Sequence, residues 1–558
     1  DYLFRGFLKP SIRNTDSIVM NVPIAPVRDK GNNCITIILD SLNQYDELSK
    51  VNNTTSKCFY IFDDDIKPVY PYNYSIVKES STKLYASTAN PEASSKTYRM
   101  EMDTTELFNS SFKITQNITS VGGVIEFNPA ITFTDSTVYY WRVAPVSISG
   151  DMRWNTASFI YLNGTETGYN QSHLYQHFKS NLQRIVLDSN SRKWNFDKAL
   201  TSLSVTQGVF QYSPYDADYS VFKNGKYVVS SGCLGYSVRW TLFDPVTMKP
   251  YYNQAIPALD SLGTSGGFMG SSNINCPKPG RQFNFEFGYN SLTERNKMRD
   301  FINWIPNNVI AVARVNLDLP FDSNPVSVWQ ADAIPNGSLN NTLYGKLVEN
   351  GFANLDSFYY PRSWVFSFQK NNTSFTPTAA FGFDINDVAL LDLTVQSTDT
   401  LGYITSPLLG PAKQWKQLKW RGKNDEVLPG DIALLDVIGV TTSGTETVLF
   451  NNLNTAQQDF DITSINATTY PYIKLKLTNK DAVHLTPYQL RYWRLIADLL
   501  PEGALAHNLY FNFKDTLEAG EILNAAIVFK NISNVSFADS IKVDVTITNA
   551  NGVTTVVN

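Results

Sequence analysis

The sequence predicts a mainly β, multi-domain protein, a row of β-sandwiches interrupted by one α/β unit. Three observations carry that expectation. The chain has 558 residues, more than one hydrophobic core serves at roughly 100–200 residues per domain. Only 17% of residues are charged while 13% are aromatic, and the local texture of Thr, Ser, Asn, Val and Tyr suits half-buried pleated surfaces. Short alternating runs separated by polar turns recur along most of the length.

The elements follow in order. Residues 1–56 read as the back half of an immunoglobulin-like sandwich: Ser17 to Val22 alternates, and Cys34-Ile-Thr-Ile-Ile-Leu39 forms a strand before the Asn-rich close at Glu47 to Asn53. Residues 57–163 read as a second sandwich, with strands at Lys83 to Ser87, Tyr98 to Met102, Gly123 to Phe127 and Thr137 to Val143. Residues 164–200, including Asn170-Gln-Ser-His-Leu-Tyr-Gln-His177, show no alternation and are expected to form a connecting strap.

Over 201–373 the pattern turns α/β. Ser291-Leu-Thr-Glu294 is a capping box that leads into Leu292, Met298, Ile302 and Ile305 at helical spacing. After the strand Val309 to Val315, a second helix is expected to open near Ser338, with Leu339, Leu343, Tyr344, Leu347 and Val348 on one face and Gly351 at its end. Residues 374–500 return to β and suggest a jelly roll, and 501–558 read as the opening strands of another sandwich. The half-domains at both ends predict that the sequence is a window on a longer chain.

Several motifs carry resemblances. The close of the first half-domain and the opening of the last resemble CARDB adhesion domains, Tyr139-Tyr-Trp-Arg-Val143 resembles a late strand of fibronectin type III modules, and 374–500 resembles galactose-binding-like modules. Gly225 to Gly235, Trp240-Thr-Leu-Phe-Asp-Pro-Val-Thr247, Phe301 to Ile310 and Arg362 to Phe368 resemble an ILEI (PANDER-like) domain, although Met248 stands where that family's hairpin has glycine. The whole order is similar to the region outside the peptidase domain of large Bacteroidota gingipain-related, sortase-like surface proteins linked to type IX secretion. That resemblance implies an extracellular or outer-membrane-associated location, outer-membrane or type IX components as partners, and a cysteine peptidase domain elsewhere in the parent polypeptide.

The composition narrows the function classes. The net charge of -5 comes from scattered carboxylates, and no basic stripe exists to neutralise phosphates, which argues against nucleic acid as a partner. No apolar run approaches the roughly 18–20 residues that span a bilayer, and Asp1-Tyr-Leu-Phe-Arg lacks a signal peptide's regions, so a processed or truncated segment is expected.

The four cysteines form two local pairs, Cys34/Cys58 and Cys233/Cys276, as candidate disulfides if the compartment is oxidising. Other connectivities and reduced thiols stay open. His173, His177, His484 and His507 all lie far in sequence from them, so no thiolate–imidazole pair is visible and no catalytic residue is assigned.

No cofactor or metal ligand is assigned either. The i, i+4 pair His173/His177 lacks a zincin's glutamate and an acidic third ligand, while Asp63-Asp-Asp65 and Asp459/Asp461 offer calcium oxygens but read first as turn carboxylates. For glycans, Trp415, Trp420 and Tyr403 in the jelly roll and Trp364 in the α/β unit are candidate platforms, each weighed against a place in the core. Ser17, Thr104, Ser261, Thr516 and Ser540 follow an aspartate in a pattern that resembles the O-glycosylation signal of Bacteroidota.

Together these features predict a non-catalytic structural and interaction segment of a bacterial surface protein. A carbohydrate-binding array and an accessory region of a cysteine peptidase are the alternatives.

Overall fold

The computed structural model describes residue 17 and residues 31–61, 65–146, 152–209, 212–213, 215–229, 237–255, 257–262, 264–265, 268–270, 282–317, 323–426, 431–514, 516–537, 540–548 and 553–557. The chain is mainly β and multi-domain. Cys233 and Cys276 lie outside the described residues, as do Asp63 and Asp64.

Near the N-terminus, Gly31–Ile38 and Thr54–Ile61 form an antiparallel hairpin in which Cys34 faces Cys58 and is joined to it by a disulfide. The pairing places Cys58 in this hairpin, so the boundary expected at 56/57 falls inside a strand. The two strands are locked together at a directly opposed pair, where side chains approach closest.

The dominant element is a sheet of nine strands in the order Asp459–Asp461, Ala412–Lys423, Gln489–Leu499, Gly168–Gln171, Ser75–Val77, Asn155–Tyr161, Thr137–Pro145, Lys96–Asp103, Ile114–Ser120. One half closes the fibronectin-like sandwich. There it faces the three-stranded sheet of Ile66–Tyr70, Leu84–Thr88 and Val124–Phe127 across a core that includes Met100, Tyr139, Trp141 and Phe159. The other half closes the jelly roll, facing a five-stranded sheet built on Leu401–Thr405, Tyr472–Lys480 and Ile432–Val440.

Residues 164–200, expected as a strap, are instead threaded into these sheets. Gly168–Gln171 pairs antiparallel with both Gln489–Leu499 and Ser75–Val77, and Asn181–Gln183 pairs with Leu401–Thr405. All four residues of Gly168–Gln171 are buried. A strand covered on both faces and paired at both edges needs no polar alternation, which is why its pattern reads as irregular.

The α/β unit has three layers. Its central antiparallel sheet runs Phe285–Gly288, Ser237–Phe243, Ile310–Asn316, Trp364–Gln369, Thr378–Phe381. Helices Leu292–Trp304, Pro325–Ala331 and Leu343–Glu349 cover one face through a core with Trp240, Phe301, Trp329 and Trp364. A four-stranded sheet covers the other through Leu203, Val221, Val312 and Leu391. Lys198–Gln207 pairs along its whole length with Ala389–Thr398, so the unit runs past the boundary expected at 373.

Local chemistry explains the helix starts. Ser291 Oγ accepts from Glu294 N–H at 3.2 Å, as its capping box predicts. The later helix begins at Leu343 instead of near Ser338, because Thr342 provides the cap, its hydroxyl accepting from Gly345 N–H at 3.0 Å after a 3-10 turn at Leu339–Asn341. Leu339 and Val348 consequently face outward, while Leu343, Tyr344 and Leu347 pack inward.

A tight turn forms at Asp244–Lys249, with Met248 inside it. Asp244 Oδ1 accepts from Val246 and Thr247 N–H and from the Thr247 hydroxyl, and Met248 takes the left-handed conformation at φ 53° with its side chain buried in the inter-sheet core. The thioether's burial offsets the cost of that backbone.

After 500 the chain returns to the first sandwich. Gly503–Leu505 pairs with Phe529–Asn531, Ala506 and Ile532 pack against Val124, and Asn508 exchanges hydrogen bonds with the Val124 backbone at 2.8 and 3.1 Å.

Candidate functional site

Where the two sandwiches share their sheet, a cleft of about 390 Å³ opens. Asn73, Tyr74, Glu106, Tyr140, Trp154 and Ser158 line it from the fibronectin-like side, and Tyr175, Gln176 and Lys179 from the short helix Leu174–His177 and its exit. The helix is set in place by its own sequence. Gln176 reaches back so that its Oε1 accepts from Ser172 and His173 N–H at 2.9 and 3.2 Å, satisfying donors that a helix start leaves bare.

The floor of the cleft is a hydrogen-bond chain. Gln176 Nε2 donates to Ser158 Oγ at 3.0 Å, and Ser158 donates through N–H and hydroxyl to Asn73 Oδ1 at 2.9 and 3.3 Å. Behind it, Gln171 Nε2 donates to Gln176 O and Ser180 Oγ at 2.6 and 3.0 Å, while Gln171 Oε1 accepts from Trp493 Nε1. Buried amides satisfied at both ends hold a wall in one conformation.

The rim carries charge and flat surface. Lys179 pairs with Glu106 at 2.6 Å, and the half-buried Trp154 ring stacks on the Arg142 guanidinium at 4.2 Å. Tyr140 hydroxyl and His173 Nδ1 share a hydrogen bond at 3.0 Å, and Tyr175 packs edge-on against the Tyr140 ring. Burial, with Glu106 adding to it, raises the Tyr74 phenol to about 12. The Tyr140 phenol moves in the same direction for the same reason. Both stay protonated and serve as neutral hydrogen-bonding groups.

His177 sits behind the cleft, fully buried between Trp194 and Trp493. Its Nε2–H donates to Arg491 O at 3.3 Å, and burial lowers its imidazole to about 4. The neutral ring is a core residue. His173 lies beside Tyr140, whose hydroxyl shares a hydrogen bond with its Nδ1 at 3.0 Å.

The other predicted site residues fall elsewhere. Trp415, Trp420 and Trp364 are fully buried, which corrects their candidacy as sugar platforms. Trp415 and Trp420 donate their indole N–H to Tyr470 O and Gln457 O at 2.9 and 3.1 Å, and Trp364 packs against Phe352 and Phe358. Tyr403 is half-buried with Lys476 Nζ 4.7 Å over its ring. Asp459 pairs with Arg421 and Asp461 accepts from Thr463, so these carboxylates have protein partners. Ser17, Ser261, Thr516 and Ser540 are exposed, and Thr104 is half-buried.

Sequence reasoning missed the cleft because its lining spans residues 73–179 and no stretch of it is a motif. The one local signal was Gln171-Ser-His173, read as a strap. Among the described residues, Glu426, Asp481 and His484 also converge, a grouping the sequence reading did not make.

No family model matches the chain, and no curated protein matches it. Among solved structures, it is similar to a carbohydrate-binding module of the β-sandwich superfamily, at 7% identity over 78% of this chain and 93% of that one, with a TM-score of 0.15. It is also similar to the native α-L-rhamnosidase of Aspergillus terreus, at 8% identity over 81% of this chain, with a TM-score of 0.14. The chain spans 50% of the rhamnosidase's length.

Proposed function

We propose that this chain is a non-catalytic structural and interaction segment of a bacterial cell-surface protein, one that spaces and orients other parts and docks an outer-membrane partner of the type IX class. The observation that carries the reading is the shared sheet. Gly168–Gln171 pairs on both edges, fusing two sandwiches that would otherwise hinge on a linker. A rigid joint of this kind transmits orientation, which a spacer requires and an independent module does not. The surface assignment is supported by the family resemblance of the sequence and by the Cys34–Cys58 disulfide, which suits an oxidising compartment.

The test is recovery of the native protein after gentle lysis. Co-purification with outer membranes, and cross-linking there to a defined surface protein, is the expected result. A chain recovered alone in the soluble fraction refutes docking.

A second reading, glycan binding, has one specific observation in its favour. The cleft sets Trp154 and Tyr175 beside the carboxylate of Glu106 and the amide of Asn73, the pairing of flat apolar and hydrogen-bonding groups that sugars require. Titration of the whole chain with neutral and acidic oligosaccharides tests it. Saturable binding abolished by Trp154→Ala supports the reading, and flat responses across the set reject it.

A further inference from the structure

The cleft between the sandwiches has a fixed aromatic wall. The Arg142 guanidinium packs on two rings, its carbon 4.1 Å from the Phe108 centroid and 4.2 Å from that of Trp154. Glu101, buried in the same sheet, holds the guanidinium through Nε at 2.8 Å and Nη2 at 2.5 Å, while its other oxygen takes Lys113 at 2.8 Å. A cation that is both paired and stacked keeps the indole it touches in one orientation, so Trp154 meets a ligand already ordered.

The charges of the cleft are few and unequal. Among the described residues that line it, Glu106 is the one carboxylate and Lys179 the one cation, and the two pair at 2.6 Å. The Glu106 side chain is 20% exposed and that of Lys179 55%. The carboxylate is thus part of the wall, whereas the ammonium stands on a flexible stem in solvent. Burial first, and the charge of Glu106 second, keep the Tyr74 and Tyr140 phenols protonated, so the carboxylate faces the same space as both rings. Arg142, behind Trp154, is already committed to Glu101.

A neutral pyranose suits such a wall. Its C–H face covers the indole, and adjacent hydroxyls donate to the two oxygens of Glu106 in charge-assisted hydrogen bonds. A uronic acid brings a second carboxylate into a partly enclosed space where Glu106 already stands and the lining cation is already paired. Like charges repel there more strongly than in open water.

Resting on the glycan reading of this cleft, we propose that its ligands are neutral hexopyranosides and that Glu106 is the specificity-determining residue that turns acidic sugars away.

The experiment titrates the full chain by calorimetry with oligosaccharides of glucose, galactose and mannose units, and with the same three oxidised to carboxylates at C6. At least one neutral sugar should bind, and its oxidised counterpart should bind roughly tenfold or more weakly. Glu106→Gln keeps hydrogen-bonding capacity, removes the charge and frees Lys179, so the gap should shrink to about threefold or less, or reverse. Lys179→Met, at an exposed position, makes the opposite change and should widen the gap, which keeps the test valid should Glu106→Gln fail to fold. Oxidised sugars that bind the wild type as tightly as neutral ones overturn the proposal and leave the glycan reading standing. A gap unchanged in both variants overturns the role of Glu106. Flat responses of the wild type to all six sugars reject the glycan reading itself, and the proposal with it.

Discussion

Trp493 donates its indole N–H to Gln171 Oε1 at 2.6 Å, and the same two residues are register partners across antiparallel strands. Both are fully buried. One pair of residues 322 apart in sequence thus joins the strand that links the two sandwiches to the central strand of the jelly roll, by backbone and side chain at once. Four predictions follow the consequences of that joint and of the α/β unit beside it.

Gly168 opens the linking strand at φ 143°, and a Cβ there would meet Leu495 O at 2.0 Å. The obstacle is backbone of a buried strand and has nowhere to move. Gly168→Ala should cost roughly 3–5 kcal/mol, and limited proteolysis should cut first near 164–168, separating the sandwiches. Unchanged protease resistance would show that the joint tolerates the methyl group.

His177 has its folded value lowered to about 4 from an ordinary 6.5, burial being the main cause. The unfolded chain therefore binds the extra proton between those values. The neutral ring's contribution is complete above about pH 6.5 and declines as pH falls towards 4, by about 3 kcal/mol in all. Urea midpoints at pH 7.5 and 4.5 should differ more for the wild type than for His177→Gln. An identical pH dependence in the two would mean that the ring titrates normally in the folded state.

Arg295 and Asp332 form a buried, two-pronged pair, Nε to Oδ2 at 2.6 Å and Nη2 to Oδ1 at 2.7 Å, while Nη1 donates to Tyr289 O. Asp332→Ala strands a guanidinium inside the helical layer and should cost about 3–5 kcal/mol. Replacing both residues with apolar side chains of similar volume should recover much of that loss. Thermal unfolding of the single and double variants distinguishes these outcomes.

Met248 reverses the usual order of glycine and alanine in a core. Its backbone is left-handed at φ 53° and its side chain is fully buried. Met248→Gly loses the packing but relieves the backbone, whereas Met248→Ala loses the packing and keeps a cost of about 1–2 kcal/mol. Stability measured by denaturant should rank methionine above glycine and glycine above alanine.

Much of the local architecture was legible in the residues. Alternation in Tyr472–Lys480 and Leu84–Thr88 matches the buried pattern of those strands, because period-2 hydrophobicity records which face meets a core. The capping box at Ser291 starts a helix because its hydroxyl satisfies a backbone donor three residues on. The pairing of Cys34 with Cys58 came from proximity in sequence and holds because a hairpin brings its two strands opposite one another.

What the residues left open depended on distant partners. Gly168–Gln171 carries no strand signal of its own, since it is sheltered on both faces and both edges by segments from 75–77 and 489–499. The tryptophans offered as sugar platforms are legible as large aromatics, but only the closing of two sheets decides that Trp415 and Trp420 point inward. The cleft around Gln176 and the carboxylates around Asp481 assemble from loops far apart in the chain. Periodicity fixes which face of an element is apolar. Where that element docks, and which polar groups it thereby strands or joins, belongs to the tertiary structure, because long-range pairing and burial have no local signature.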